Sequence, residues 1–187
     1  MSEDKFILDA TAGFRMMWFN KQHPNTVFMD LRNDMQLRKD AEQFGENRAR
    51  AIFKSWMPNN ATIQGDFRKT TFPNEKFKLI VWDPPHLFGS GSRKHQQGLC
   101  FGTLHAETWQ SDLKRGFAEL WRCLAPWGIL IFKWHDSKFQ YKRILKLFFE
   151  RPLFGQITSK RKDKKGKTIH TFWFCFMKIP EKQKAKK

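Results

Sequence analysis

Short apolar runs alternate with stripes of helical spacing along most of the chain, and several of the runs end on an acid. Phe6-Ile7-Leu8-Asp9-Ala10 and Thr26-Val27-Phe28-Met29-Asp30 read as strands, as does Phe77-Lys78-Leu79-Ile80-Val81-Trp82 before Asp83. Ala61 to Asp66 is a further strand candidate. Between the first two lies the turn Thr11-Ala12-Gly13 and a helix-like stretch from Phe14 to Lys21. Leu31 to Asn60 is polar, with helical spacing around Ala49, Phe53 and Trp56, and reads as a helix or a flap. Trp109, Leu113, Phe117, Leu120, Trp121 and Leu124 recur at three- and four-residue steps, which predicts a helix over Ala106 to Leu124 that Pro126 and Gly128 end. Ile129 to Trp134 follows as a strand, Tyr141 to Glu150 as a helix, and Leu153 to Thr158 with Thr168 to Met177 as an antiparallel hairpin around a charged turn, Lys160 to Lys167.

Strands alternating with helices predict an α/β fold with a doubly wound, mostly parallel sheet and a C-terminal antiparallel hairpin. Residues 1–178 are expected to form a single domain, with 31–60 an insertion or flap, 87–105 a Gly-rich active-site loop, and 179–187 a disordered basic tail.

Charge adds a partner to this picture. The chain has 35 Lys and Arg against 18 Asp and Glu, a formal charge of +17, and such an excess favours a polyanion through counterion release. Nucleic acid is the expected partner. Cys100, Cys123 and Cys175 form no Cys-x-x-Cys pair, which argues against a disulfide framework or a zinc knuckle and for a reducing compartment. His95 and His105 have no compact ligand set around them, so no metal is expected. No run approaches the length of a membrane span and no apolar leader opens the chain, so a soluble cytoplasmic protein without membrane attachment is expected.

The candidate chemistry centres on Asp83-Pro84-Pro85-His86. Ligands of open α/β sheets bind beyond the carboxyl ends of the strands. There Asp83 precedes two rings that fix φ and remove backbone donors, leaving a carboxylate and free carbonyls suited to gripping an amino group. Asp30 lies 21 residues after Asp9, close to the ~20-residue interval at which a strand-end acid meets ribose hydroxyls. Singly, each acid is more often a cap or turn residue; the joint spacing favours function. Lys133, Trp134, His135 and Asp136 end another central strand and are candidates to border the substrate, with Arg93 and Lys94 of the Gly-rich loop.

With these residues placed, the chain resembles the class I S-adenosylmethionine-dependent methyltransferases, from Phe6 to Lys178. Asp83-Pro84-Pro85-His86 is similar to the Asp-Pro-Pro-aromatic motif of enzymes that methylate exocyclic amino groups of bases. Ile7-Leu8-Asp9-Ala10-Thr11-Ala12-Gly13 resembles their cofactor motif, and Leu124-Ala125-Pro126-Trp127-Gly128 the turn before their fifth strand. The pattern is most similar to small stand-alone phage and prophage enzymes. The resemblance implies a Rossmann-like fold and the cofactor S-adenosylmethionine. It assigns Asp9, Ala10, Thr11 and Gly13 to the methionine end, Asp30 to the ribose, and Asp66 with Phe67 to the cofactor's adenine. Arg15 replaces the family's second loop glycine and becomes a candidate for the methionine carboxylate. His86, where Tyr, Phe or Trp is commoner, would stack on the base.

The activity so implied is N6-methylation of adenine, in DNA ahead of RNA, in a bacterial or phage-infected cell. A separate target-recognition domain does not fit in the chain, so a protein partner that supplies specificity stays open, as does oligomeric state. Two alternatives also stay open: an RNA adenine or protein glutamine methyltransferase, and an inactive methyltransferase-like subunit that binds nucleic acid.

Overall fold

Three apolar runs that end on acids lie side by side. The computed structural model describes residues 5–43, 61–89, 98, 101–162 and 166–181. Among them β1 (Ile7–Asp9) pairs in parallel with β2 (Thr26–Asp30) on one side and β4 (Phe77–Trp82) on the other. β3 (Ile63–Gln64) extends the sheet beyond β2, and β5 (Leu124–His135) joins β4 in parallel. β7 (Thr168–Met177) runs antiparallel between β5 and β6 (Phe154–Lys162), giving the seven-stranded order β3-β2-β1-β4-β5-β7-β6. The order reverses between β1 and β4, so the carboxyl ends of these two strands flank the switch point at which doubly wound folds bind ligands.

α1 (Asp34–Glu42) starts on a capping box: Asn33 accepts from the Gln36 amide, and the Gln36 side chain returns to the Asn33 amide. α2 (Trp109–Cys123) buries Leu113, Gly116, Phe117 and Leu120 against the sheet. α3 (Tyr141–Leu145) is short. The core between helix and sheet is aromatic. Phe117 stacks on Phe148 at 4.3 Å and 9°, while Trp82 meets Phe132 at 5.0 Å and Phe67 at 5.5 Å. Such pairs add about 0.5–1.5 kcal/mol each beyond burial. No helix among the described residues is long and apolar enough to cross a membrane.

Several sequence expectations are refined or corrected. Phe14 to Lys21 is a chain of turns, not a helix: the Arg15 and Trp18 amides bond three residues back to Ala12 and Arg15, and Arg15 itself has φ 53°. Side-chain bonds take the place of the helical ladder, with Arg15 Nη1 donating to the Lys21 carbonyl and Trp18 Nε1 to Asp9. The segment expected at Leu31 to Asn60 has its described helix at Asp34–Glu42; Ala49, Phe53 and Trp56 lie outside the described residues. β5 begins at Leu124, directly after α2, and absorbs Pro126 and Gly128 with Trp127 at φ 62° between them. Finally, α3 ends at Leu145, because Leu147 and Phe148 bond three residues back and carry Phe148 into the core. The hairpin is also longer than expected. Lys160, Arg161 and Lys162 belong to β6, opposite His170, Ile169 and Thr168.

Candidate active site

β1, β2 and β4 deliver their terminal acids to one edge, and the loop after β1 is stitched to the other two strands. The Ala10 amide donates to the Val81 carbonyl at 2.9 Å and the Ala12 amide to Met29 at 2.8 Å. Gly13, at φ 46°, takes the left-handed turn that favours glycine, and its amide donates to Asp30 Oδ2 at 2.9 Å. Thr11 crosses to the next strand, its Oγ1 accepting from the Asp83 amide at 2.9 Å. One loop therefore ties Asp30 and Asp83 together.

Asp9 is fully buried, with Oδ1 accepting from the Thr11 amide at 3.2 Å and Oδ2 from Trp18 Nε1 at 2.7 Å. Burial pushes its carboxyl up to about 7, and nearby Asp83 and Asp30 push the same way against those two bonds. Asp30 also receives the Arg32 backbone amide and Nε, both at 3.0 Å. Asp66 accepts from the Arg68 amide and from Arg68 Nη2 at 2.6 Å. Burial raises its pKa, but the Arg68 bonds outweigh burial and hold it below the usual range. Phe67 lies on Trp82, over Gly116, where any Cβ would meet its ring at 2.5 Å.

Asp83 stands at the carboxyl end of β4, and its Oδ2 accepts from Lys133 Nζ at 2.6 Å. Burial raises the carboxyl's pKa, with Lys133 opposing. His86 meets His135 edge to face at 5.0 Å. Burial, then His135, Lys133 and Arg161, lower His86 to about 3, so it is neutral at physiological pH. Beside it an open pocket of ≈ 220 Å³ is lined by His86, Lys133, His135, Ser159, Arg161 and Thr171.

Three candidate roles are corrected. The Arg15 guanidinium does not reach for a methionine carboxylate: it is buried, sits 3.8 Å from the centre of the Phe28 ring, and donates to Thr62 Oγ1 at 2.9 Å as well as to Lys21. Trp134 does not border the substrate. Side chains alternate across β5, so Lys133 and His135 face the pocket while Trp134 is fully buried, its Nε1 donating to the Phe139 carbonyl. Asp136 is likewise turned away, accepting from the His170 amide. The Gly-rich loop has Phe88 bridged to Leu104, whereas Arg93 and Lys94 lie outside the described residues.

Sequence reasoning missed Trp18, Ser159 and Thr171, whereas Arg161 belongs to the charged stretch Lys160 to Lys167, for which the overall charge favours phosphate binding as much as plain solvation. Ser159, Arg161 and Thr171 share a signal, the period-two alternation of the hairpin strands, which becomes readable once their register is known. Among the described residues no group of three His, Cys, Asp or Glu is placed to hold a metal.

No protein-family model matches the chain, and no curated protein sequence matches it. Solved structures do. A S-adenosylmethionine-dependent methyltransferase from Methanosarcina mazei aligns over 97% of this chain and 95% of its own, with TM-score 0.54 and 11% identity. A putative sarcosine dimethylglycine methyltransferase from Galdieria sulphuraria aligns over 92% and 78%, with TM-score 0.53 and 13% identity. Geranyl diphosphate C-methyltransferase from Streptomyces coelicolor, solved with Mg²⁺, geranyl diphosphate and S-adenosylhomocysteine, aligns over 92% and 70%, with TM-score 0.52 and 12% identity. Together with the strand order, these likenesses define the Rossmann-like fold of class I methyltransferases.

Proposed function

We propose that the protein transfers a methyl group from S-adenosylmethionine to an exocyclic amino group of a nucleic-acid base, N6 of adenine in DNA being the preferred acceptor. The observation that carries this reading is the Thr11–Asp83 bond, which joins the glycine loop to the Asp-Pro-Pro acid at the sheet's switch point. The acids at that edge suit a cationic cofactor: Asp9, Asp30 and Asp83 lie close enough for the other two to raise Asp9, and a positive ligand relieves their repulsion. Asp9, Ala10, Thr11 and Gly13 would line its methionine end, and Asp30 its ribose, in competition with Arg32. Asp66 and Phe67 would stand at its adenine. When bound, the cofactor supplies an electrophilic methyl on a positively charged sulfur.

The chain's own residues orient the acceptor. The amino lone pair of adenine is delocalised into the ring. Asp83 and the Pro84 carbonyl accept its two hydrogens, which draws the nitrogen towards tetrahedral geometry and aims the lone pair along the transfer path. Pro85 keeps the tripeptide stiff, and His86, being neutral, offers an uncharged ring to stack on a base taken out of its helix. The net charge of +17 supports a nucleic-acid substrate.

A second reading has one observation in its favour. Lys133 already holds Asp83 at 2.6 Å, as in a subunit that binds nucleic acid without turnover. Incubation with methyl-labelled S-adenosylmethionine and duplex DNA, single-stranded DNA, total RNA or cell-extract protein, followed by mass spectrometry of nucleosides and peptides, separates the two. Methyladenosine in a nucleic-acid pool is expected, and its loss by about 10²-fold or more in Asp83→Ala, with cofactor affinity little changed. No transfer to any pool and no cofactor binding would leave the binding subunit.

A further inference from the structure

We propose that the pocket between the β4 and β5 ends and the β6–β7 hairpin is a subsite for one phosphate group of the substrate, with Lys133 shared between that phosphate and Asp83. The proposal rests on the reading of Asp83 as the acceptor of the amino group, and it adds what lies next to that amine. His86, Lys133 and His135 form one wall of the pocket, and Ser159, Arg161 and Thr171 of the hairpin form the other. Its ≈ 220 Å³ far exceeds the ~10–15 Å³ that one water needs on the same measure. Among the described residues that line it there is no carboxylate.

The hydrogen bonds leave donors of the pocket lining unspent. Arg161 Nη2 stands 3.5 Å from His135 Nε2, and His135 Nδ1 lies 3.0 Å from Thr171 Oγ1. With Arg161 donating to Nε2, the His135 proton sits on Nδ1 and is given to Thr171. Ser159 Oγ donates to the same Thr171 oxygen at 2.8 Å. Both lone pairs of Thr171 Oγ1 are then used, and its own O–H remains as a donor. A guanidinium, an ammonium and a hydroxyl thus share the lining of one pocket, and the fork of Arg161 suits the oxygens of a phosphate.

Lys133 links this pocket to the chemistry. Its ammonium has three donors and spends one on Asp83 Oδ2, which closes that oxygen to an incoming amine. A phosphate in the pocket competes for the ammonium and frees the carboxylate. The acceptor class follows from this: a base that carries a phosphate, as a nucleotide or within a strand, in preference to the free nucleoside.

The test compares Arg161→Gln with Lys162→Gln, the adjacent strand residue whose loss removes the same charge outside the pocket. Both residues are exposed on β6, so neither change disturbs the core. Binding of a short single-stranded deoxyadenine oligonucleotide, of deoxyadenosine monophosphate and of deoxyadenosine is measured by calorimetry. Arg161→Gln is expected to weaken oligonucleotide binding about tenfold or more, and Lys162→Gln far less. The same Arg161 dependence with the mononucleotide identifies a terminal phosphate; dependence confined to the oligonucleotide identifies a backbone diester. Equal losses in the two variants, or oligonucleotide binding no tighter than that of deoxyadenosine, overturn the subsite. Equal losses with methyl transfer intact leave the proposed activity standing without the subsite. An Arg161-specific loss without transfer to any acceptor leaves the subsite standing without the activity.

Discussion

The fold strongly opposes the ionisation of Asp9, and replacing it by asparagine makes that opposition measurable. Its carboxyl lies fully buried and is raised from 3.8 to about 7. A raised acid contributes stability that is present below pH 3.8 and is lost as pH rises through 7, at about 1.4 kcal/mol per pH unit. Wild-type stability alone hides this loss, because His86, depressed from 6.5 to about 3, gains stability with rising pH over much of the same range. The difference between Asp9→Asn and wild type cancels His86. The asparagine amide faces the Thr11 amide or the Trp18 indole, donor against donor, which costs a roughly constant amount at every pH. On that offset the variant should gain on wild type by about 3 kcal/mol between pH 4.5 and 8.5, with the gain levelling off above pH 7. Urea unfolding at five pH values across this window, read as free-energy differences, gives the curve. A flat difference would mean that Asp9 ionises normally and that its burial is relieved in solution.

Gly116→Ala should lower the urea midpoint although alanine favours a helix by about 1 kcal/mol: its Cβ would stand 2.5 Å from the Phe67 ring and 3.1 Å from Trp82, and overpacking of that kind costs about 1–3 kcal/mol. An unchanged or higher midpoint would show that Phe67 gives way freely. Lys178→Met should cost about 1–3 kcal/mol in the same assay, since Lys178 Nζ donates to the Leu124 carbonyl at 2.7 Å and to the Trp121 carbonyl at 3.1 Å where α2 passes into β5; a neutral result would mark these bonds as replaceable by water. Deletion of residues 182–187, which removes four lysines, should flatten the salt dependence of nucleic-acid binding, and an unaltered slope would show that these lysines do not meet phosphates.

Why some of this could be read from the chain and some not has physical reasons. The parallel strands were legible because β2 and β4 are apolar runs buried within the sheet, and α2 because its apolar face repeats at helical spacing. The strand-end acids were legible because spacing along the chain translates directly into position along one edge. Phe14 to Lys21 misled for the opposite reason. Its composition suits a helix, but the turns are held by a long-range bond from Arg15 to Thr62 and by one from Trp18 back to Asp9, and neither partner lies within a helical turn. The same holds for the pocket. Arg161 and Lys133 are far apart in sequence, and they share it only because the hairpin folds back beside β5, a register that no local pattern encodes.

β6 forms one outer edge of the sheet, with backbone donors and acceptors on its far side that no neighbouring strand of the sheet pairs. β6 is exposed over its whole length, and Phe154 and Ile157 stand open on it at 69% and 50%. An extended, partly apolar edge of this kind is a template on which a second chain can anneal and seed aggregates. Lys160, Arg161 and Lys162 occupy its far half, and two like-charged copies approaching edge to edge repel there. Arg161, which would receive a phosphate, therefore also acts with Lys160 and Lys162 as a gatekeeper of solubility, and a variant that neutralises it trades ligand recognition and colloidal stability together.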